Sequence, residues 1–222
     1  MPKHLERQID ILKQKILFVG TLVEEAIAKA ISALVYRDRN LAHTVIEEDA
    51  EIDRMEVDVE EEVLKILALY QPVATDLRFV IAVLKINNDL ERMGDLAKNI
   101  AKRVVAMANC ERIELPPEFR GMATRVQSMV KQTLDALVNS DTTLARKVRD
   151  SDDEVDALRR IIEDHIEQQI SLHPEQTECL MRLSGVSRHL ERLADMATNV
   201  AEDVIYMVEG EIVRHNRTSE TL

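Results

Sequence analysis

Tryptophan is absent from the sequence, and three tyrosines and three phenylalanines bring the aromatic share to only 3%. A chain so poor in rings offers no stacking platform for single-stranded nucleic acid. Its net charge of −12 and lack of a basic stripe likewise exclude duplex binding, which needs Lys and Arg clusters. Glycine and proline number five each, too few for a sheet with many turns, so long helices are expected. The two cysteines, Cys110 and Cys179, form no C-x-x-C pair and read as reduced thiols of a cytosolic protein. No apolar run approaches the roughly 20 residues that span a bilayer, and "MPKHLERQIDILKQKILFVG" carries charges every few residues, unlike a signal peptide. A cytoplasmic protein is expected, reaching a membrane only through a complex on which it docks.

What is present is helical periodicity. Ile9, Leu12, Ile16, Val19, Val23, Ile27, Ala30 and Leu34 recur in steps of three and four, one stripe on one helix. A second helix is expected from about Leu41 to Tyr70, with Ile52, Met55, Val59, Val63 and Ile66 on its stripe. Pro72 stops it, and Thr75 or Asp76 is expected to cap the third, which runs to about Met107 on the seam Leu90, Met93, Ala97, Ile100, Val104 and Met107. Met93 and Met107 therefore read as core.

The second half repeats the first. Helices are expected over about Glu118–Val138 and Thr142–Leu172, then a turn at Pro174, then a helix to about Met207 on the seam Leu190, Leu193, Ala197, Val200, Val204, Met207. This seam copies the earlier one at an offset of 100, while "LVNSDTTLA" matches "LVYRDRNLA" at an offset of 103. The expected fold is all-α: an internal duplication giving two three-helix bundles of long antiparallel helices. The expected division is 1–110 for the first bundle, 111–117 for a linker containing Pro116–Pro117, 118–209 for the second bundle and 210–222 for a polar, disordered tail.

Both third helices carry the same chemistry. "LERMGDLAKNIA" holds Glu91 and Asp95, and "LERLADMATNVA" holds Glu191 and Asp195. Four-residue spacing puts each pair on one helix face, where like charges cost a few tenths of a kcal/mol. The segment "EEDAEIDRMEVDVEEE" adds ten carboxylates in sixteen residues. Folded back about Pro72, it brings Asp49 and Asp53 beside Glu91 and Asp95; about Pro174, Asp152 and Asp156 come beside Glu191 and Asp195. Such oxygen-only sets suit hard divalent cations and can hold iron. The plainer alternative is a solvated acidic face neutralised by Arg92, Lys98, Arg188 and Arg192. Ahead of the first set, "LRFVIAVLKI" is apolar on nearly all sides, so its carboxylate side, with Leu77, Ile81 and Leu84, is expected to be covered by the other bundle or another subunit.

Enzymatic constellations are missing. None of the six histidines follows a Glu by three residues, as di-iron carboxylate enzymes require, and there is no Gly-rich phosphate loop or H-E-x-x-H. His189 reads as a surface residue.

Taken together, "QPVATDLRFVIAVLKINNDLERMGDLAKNIA", "LERLADMATNVAEDVIYMVEGE" and the upstream "DAEIDRME" resemble the PhoU family of phosphate-uptake regulators, over nearly the whole chain. The family's E(D)-x-x-x-D motifs fall on Glu91/Asp95 and Glu191/Asp195, with Asp49/Asp53 and Asp152/Asp156 as helix partners. Ala194 stands where the first half has Gly94, and "EQTECLMRLSGVS" lacks the P-x-A-x-DLR form of its counterpart. The resemblance implies two three-helix bundles and a non-enzymatic negative regulator. It implies an adaptor between the phosphate ABC transporter ATPase and a phosphate-sensing histidine kinase, with Asp76, Arg78, Leu77 and Ile81 as the expected docking residues. It also implies, in some members, multinuclear metal clusters at the acidic motifs. A homodimer is expected. The competing readings are a carboxylate-rich metal protein of storage or redox function and a purely structural dimer.

Overall fold

The computed structural model describes residues 3–108, 110 and 113–213. Seven α-helices follow one another with no strand among the described residues: α1 (Lys3–Tyr36), α2 (Arg39–Tyr70), α3 (Ala74–Met107), α4 (Pro117–Asn139), α5 (Thr142–Asp150), α6 (Asp152–Leu172) and α7 (Thr177–Glu209), with a 3-10 turn at Pro174–Gln176 before the last. Local chemistry sets the boundaries. Asp38 caps α2 by accepting from Asn40 N and Leu41 N, and Asp141 caps α5 at Leu144 N, so the duplicated cap survives at the offset of 103. Pro116 and Pro117 open α4, where the missing N–H groups cost nothing.

Two boundaries differ from expectation. Neither Thr75 nor Asp76 caps α3; Val73 occupies that position without a side-chain bond, and Asp76 lies inside the first turn, where its charge meets the helix dipole. The helix expected over Thr142–Leu172 is broken at Ser151. Asp150, Ser151, Asp152 and Asp153 are poor helix formers whose oxygens compete for backbone groups. Ser151 Oγ bonds Lys147 O at 2.9 Å, and its N–H closes a tighter turn on Val148 O.

α1, α2 and α3 pack on one another, as do α4, α5, α6 and α7. The stripe of α1 and the seams of α3 and α7 are buried throughout; on the α2 stripe only Met55 stays partly exposed. The two groups of helices join along α3 and α7, with a smaller contact between α1 and α4 where Gly20 lets Leu134 approach closely. α3 and α7 run antiparallel, because Lys85 meets Asp203 at one end while Arg103 meets His189 at the other. Their mates by duplication, Gly185 and Arg103, meet in the same way. A pseudo-two-fold axis therefore crosses the pair near Gly94 and Ala194. After α7, Val213 still packs against the core; positions 111–112 of the expected linker and 214–222 of the expected tail lie outside the described residues.

Candidate functional site: two acidic sets on one face

The hairpin of α2 and α3 brings the first set together in the expected register. Ile52 lies against Gly94, and Asn87 Nδ2 donates to Glu56 O at 2.9 Å. Asp49 is 4% exposed, which raises its carboxyl above the usual range. Lys98, to which it is hydrogen-bonded, opposes the rise, and Asp53 and Asp95 add to it. Glu91 is raised by loss of water first and then by Asp95, Asp53, Glu56 and Asp49. Asp95 stays exposed, 3.4 Å from the Lys98 ammonium.

The second set is built from α6 and α7. Arg159 of α6 donates to Glu191 at 2.8 Å and to Glu163 at 2.8 Å. Asp195 is exposed as a residue, yet the atoms packed around its carboxylate strip enough water to push the group up to about 6. Asp152, Glu191 and Asp156 contribute further, against a small opposing effect of Arg192. All eight sequence-derived acids are thus gathered four and four. Among the described residues no three Asp, Glu, His or Cys side chains are already arranged to hold a metal ion.

The donor chemistry separates the sets. Lys98 inserts a positive charge between Asp49 and Asp95 in the first repeat. Its counterpart by duplication is Thr198, so the second set has no lysine there, and burial with the neighbouring carboxylates keeps Asp195 raised. A hard cation would have to displace Lys98 in the first set; in the second, Arg159 already holds Glu191, while Asp195 has no ion pair among the described residues.

A two-fold axis relating two antiparallel helices is perpendicular to the plane they share, so faces equivalent by duplication point the same way. Both acidic sets therefore open on one side of the molecule. At about 100° per residue, Leu77, Ile81, Leu84, Asn88, Glu91 and Asp95 form that side of α3. Leu77 is 39% exposed, and Ile81 and Leu84 are half-buried. Of the two expected covers, the second group of helices is not the one, because α7 packs against the adjacent face; the other expected cover is a further subunit.

The four expected docking residues do not share a surface. Leu77 and Ile81 lie on the open face. Asp76 lines a groove of about 370 Å³ with Lys13, Phe79, Leu137 and Val208, and Arg78 packs beside Gly210 at the end of α7.

Sequence reasoning missed four features. His189 is not a surface residue: it is half-buried and accepts a hydrogen bond from Arg103 Nε at 3.1 Å. Arg92 pairs with Asp89 on its own helix, and among the described residues neither Arg188 nor Arg192 ion-pairs with the acids they were expected to neutralise, which leaves Lys98 as the expected cation that does so there. Arg159, unremarked in the sequence, holds Glu191. The two cysteines, 69 positions apart, are neighbours. Both are free, and burial, then a bond with Cys110, pushes the Cys179 thiol up to about 12.

No described helix is long and apolar enough to cross a membrane. The PhoU domain matches twice, over residues 16–104 and 119–204, which is the duplication read from the sequence. A phosphate-specific transport system accessory protein PhoU homolog from Aquifex aeolicus is 40% identical over 97% of this chain and 98% of its own length. One from Pseudomonas aeruginosa is 38% identical over 94% and 86%. The crystal structure of PhoU from Pseudomonas aeruginosa superposes with a TM-score of 0.90 at 34% identity, over 93% of this chain and 99% of that one. The phosphate transport system regulatory protein PhoU from Streptococcus pneumoniae gives 0.87 at 29%, over 94% and 99%. The chain belongs to the PhoU family, whose members are accessory regulators of phosphate transport and not enzymes.

Proposed function

We propose that this protein is a cytoplasmic negative regulator of phosphate uptake and of the phosphate-starvation response, acting as an adaptor between the phosphate ABC transporter ATPase and a sensor histidine kinase. The observation that carries this reading is the near full-length similarity, in sequence and in fold, to phosphate-specific transport accessory proteins. The open face is consistent with docking: it presents Leu77 and Ile81 beside the acidic sets, so apolar and charged contacts lie side by side. The test is a crosslinked pull-down from phosphate-replete cells, read by mass spectrometry. Recovery of the transporter ATPase or the kinase supports the adaptor; recovery of neither, from cells shown to contain both, counts against it. Light scattering tests the proposed homodimer.

The acidic sets carry a second, compatible proposal. Glu191, Asp195, Asp152 and Asp156 bind a hard divalent or iron-type cation, and Asp49, Asp53, Glu91 and Asp95 do so once Lys98 swings away. A bound cation would offset the burial and the neighbouring carboxylates that together raise Asp195, and so would fix the open face for docking. The crowding at Asp195 favours this reading. High metal loading with metal-dependent turnover, without partner binding, would instead support a storage or redox protein.

A further inference from the structure

The duplication allows the two ends of the α3/α7 junction to be compared residue by residue. Lys85, Asn88, Asp89 and Arg92 correspond to Gly185, Arg188, His189 and Arg192, while Asp203 corresponds to Arg103. At the first end the charges balance. Lys85 pairs with Asp203 at 3.6 Å and lies over the Tyr206 ring, and Arg92 pairs with Asp89 at 3.7 Å. At the second end both acids are gone. Asp89 has become His189, Asp203 has become Arg103, and Asn88 has become Arg188. Among the described residues, none of Arg103, Arg188 and Arg192 takes part in an ion pair. Three guanidinium groups without an ion pair are thus gathered in a chain with 41 acidic residues, Arg192 acting on Asp195 only weakly and without a salt bridge.

Their placement is specific. The Arg103 guanidinium lies on Gly185, where any Cβ would collide with its end atoms. Its Nε donates to His189 Nε2 at 3.1 Å, so both terminal amino groups remain without a protein acceptor among the described residues. Because a guanidinium can only donate, His189 Nε2 takes this bond through its lone pair. With Nε2 accepting, the ring proton sits on Nδ1, which is buried and has no acceptor. Arg188 and Arg192, one turn apart on α7, are exposed, and Arg188 reaches only Ser184 Oγ at 3.5 Å.

We infer that Arg103, Arg188 and Arg192, set around His189, form a binding site for a small tetrahedral oxyanion, inorganic phosphate or the terminal phosphate of an ester. Guanidinium forks match such oxygens two at a time, and a dianion neutralises what the protein leaves unpaired. Gly185 is the positioning element: without a Cβ it lets Arg103 cross from α3 and be oriented by His189. The site stands on its own geometry and is independent of the adaptor reading.

The test is calorimetric titration of the purified full chain at low ionic strength with inorganic phosphate, with adenosine monophosphate and with sulfate. One saturable site per chain is expected, weakened roughly tenfold or more by Arg103→Gln and by Arg188→Gln, as loss of a charge-assisted bond implies. Arg125→Gln, whose guanidinium pairs with Glu154 elsewhere, should leave binding unchanged. Gly185→Ala keeps every charge but unseats Arg103, and is expected to weaken binding as much as Arg103→Gln; circular dichroism confirms that it folds. Binding of the ester but not of free phosphate would keep the site and assign its ligand. No saturable binding of any of the three anions overturns the inference. So does binding that Arg125→Gln weakens equally, or that a folded Gly185→Ala leaves intact.

Discussion

Lys98 of α3 hydrogen-bonds the buried carboxylate of Asp49 on α2 while its ammonium stands 3.4 Å from Asp95 on its own helix. One side chain thus joins two carboxylates that the fold forces together, and does so in the first repeat only, since Thr198 takes its place in the second. The two acidic sets are duplicates in sequence but different in charge.

Lys98→Met should therefore cost stability at pH 7. It leaves a 4% exposed carboxylate without its cation, and because Lys98 itself is 25% exposed the cost is about 1–3 kcal/mol, not the larger penalty of a fully buried pair. Asp49 is already raised, and losing Lys98 raises it further. The variant then takes up a proton in the folded state, so its deficit shrinks as pH falls through that higher value. Urea unfolding at pH 8 and at pH 5 checks this; a deficit unchanged between the two would show that Lys98 acts by packing alone.

Asp195 gives the opposite kind of group, exposed as a residue and unneutralised. Its folded value of about 6 lies above the ordinary value of 3.8, so the folded state binds the proton more tightly. Stability from this group rises as pH falls from 7 through 6 and is fully gained below about 4. Asp195→Asn should abolish that rise and stabilise the protein at pH 8, by less than about 1 kcal/mol because solvent screens the site. Carbon-13 detected titration of the carboxyl is the direct check, and a midpoint near 4 would refute it.

The acidic sets were legible because helical spacing and the hairpin register are properties of the chain: Asp49, Glu91 and their six companions needed only a period of 3.6 and a turn at Pro72 or Pro174 to be placed together. The cations were not legible in this way. Arg92, Arg188 and Lys98 all flank the acids in sequence, but which one reaches a carboxylate depends on angles between helices that no periodicity encodes. Arg92 turns to Asp89, Lys98 to Asp49, and Arg188 to neither. The environment of His189 was hidden for the same reason, because Arg103 reaches it from a helix 86 residues away. The break at Ser151 had a signal, the run of Asp and Ser, overshadowed by the strong repeat.

Metal uptake should follow the asymmetry of the two sets. Manganese is expected to raise the melting temperature at pH 7.5, and less at pH 5.5, where the proton on Asp195 competes with it. Glu191→Gln with Asp195→Asn should remove most of that rise, whereas Lys98→Met should add metal by freeing the first set. Metal stoichiometry by elemental analysis reads both effects. Equal loading of the two sets in the unaltered protein would contradict the role given to Lys98.

The open face makes the sharpest functional prediction. Leu77, 39% exposed, and Ile81 share it with both acidic sets, whereas Asp76 and Arg78 look into the α1 groove and onto the end of α7. Leu77→Glu removes apolar area from solvent-facing surface, so melting should shift little, within the roughly half kcal/mol typical of such positions. If a partner covers this face, the same change places a charge in its centre and should derepress phosphatase expression in phosphate-rich medium, with Ile81→Glu acting in the same direction. Asp76→Lys, on the other side of the helix, should leave repression closer to normal. A phosphatase reporter beside thermal melts of the purified variants separates docking from folding. Full repression by a stably folded Leu77→Glu, Ile81→Glu double variant would move the docking surface away from α3.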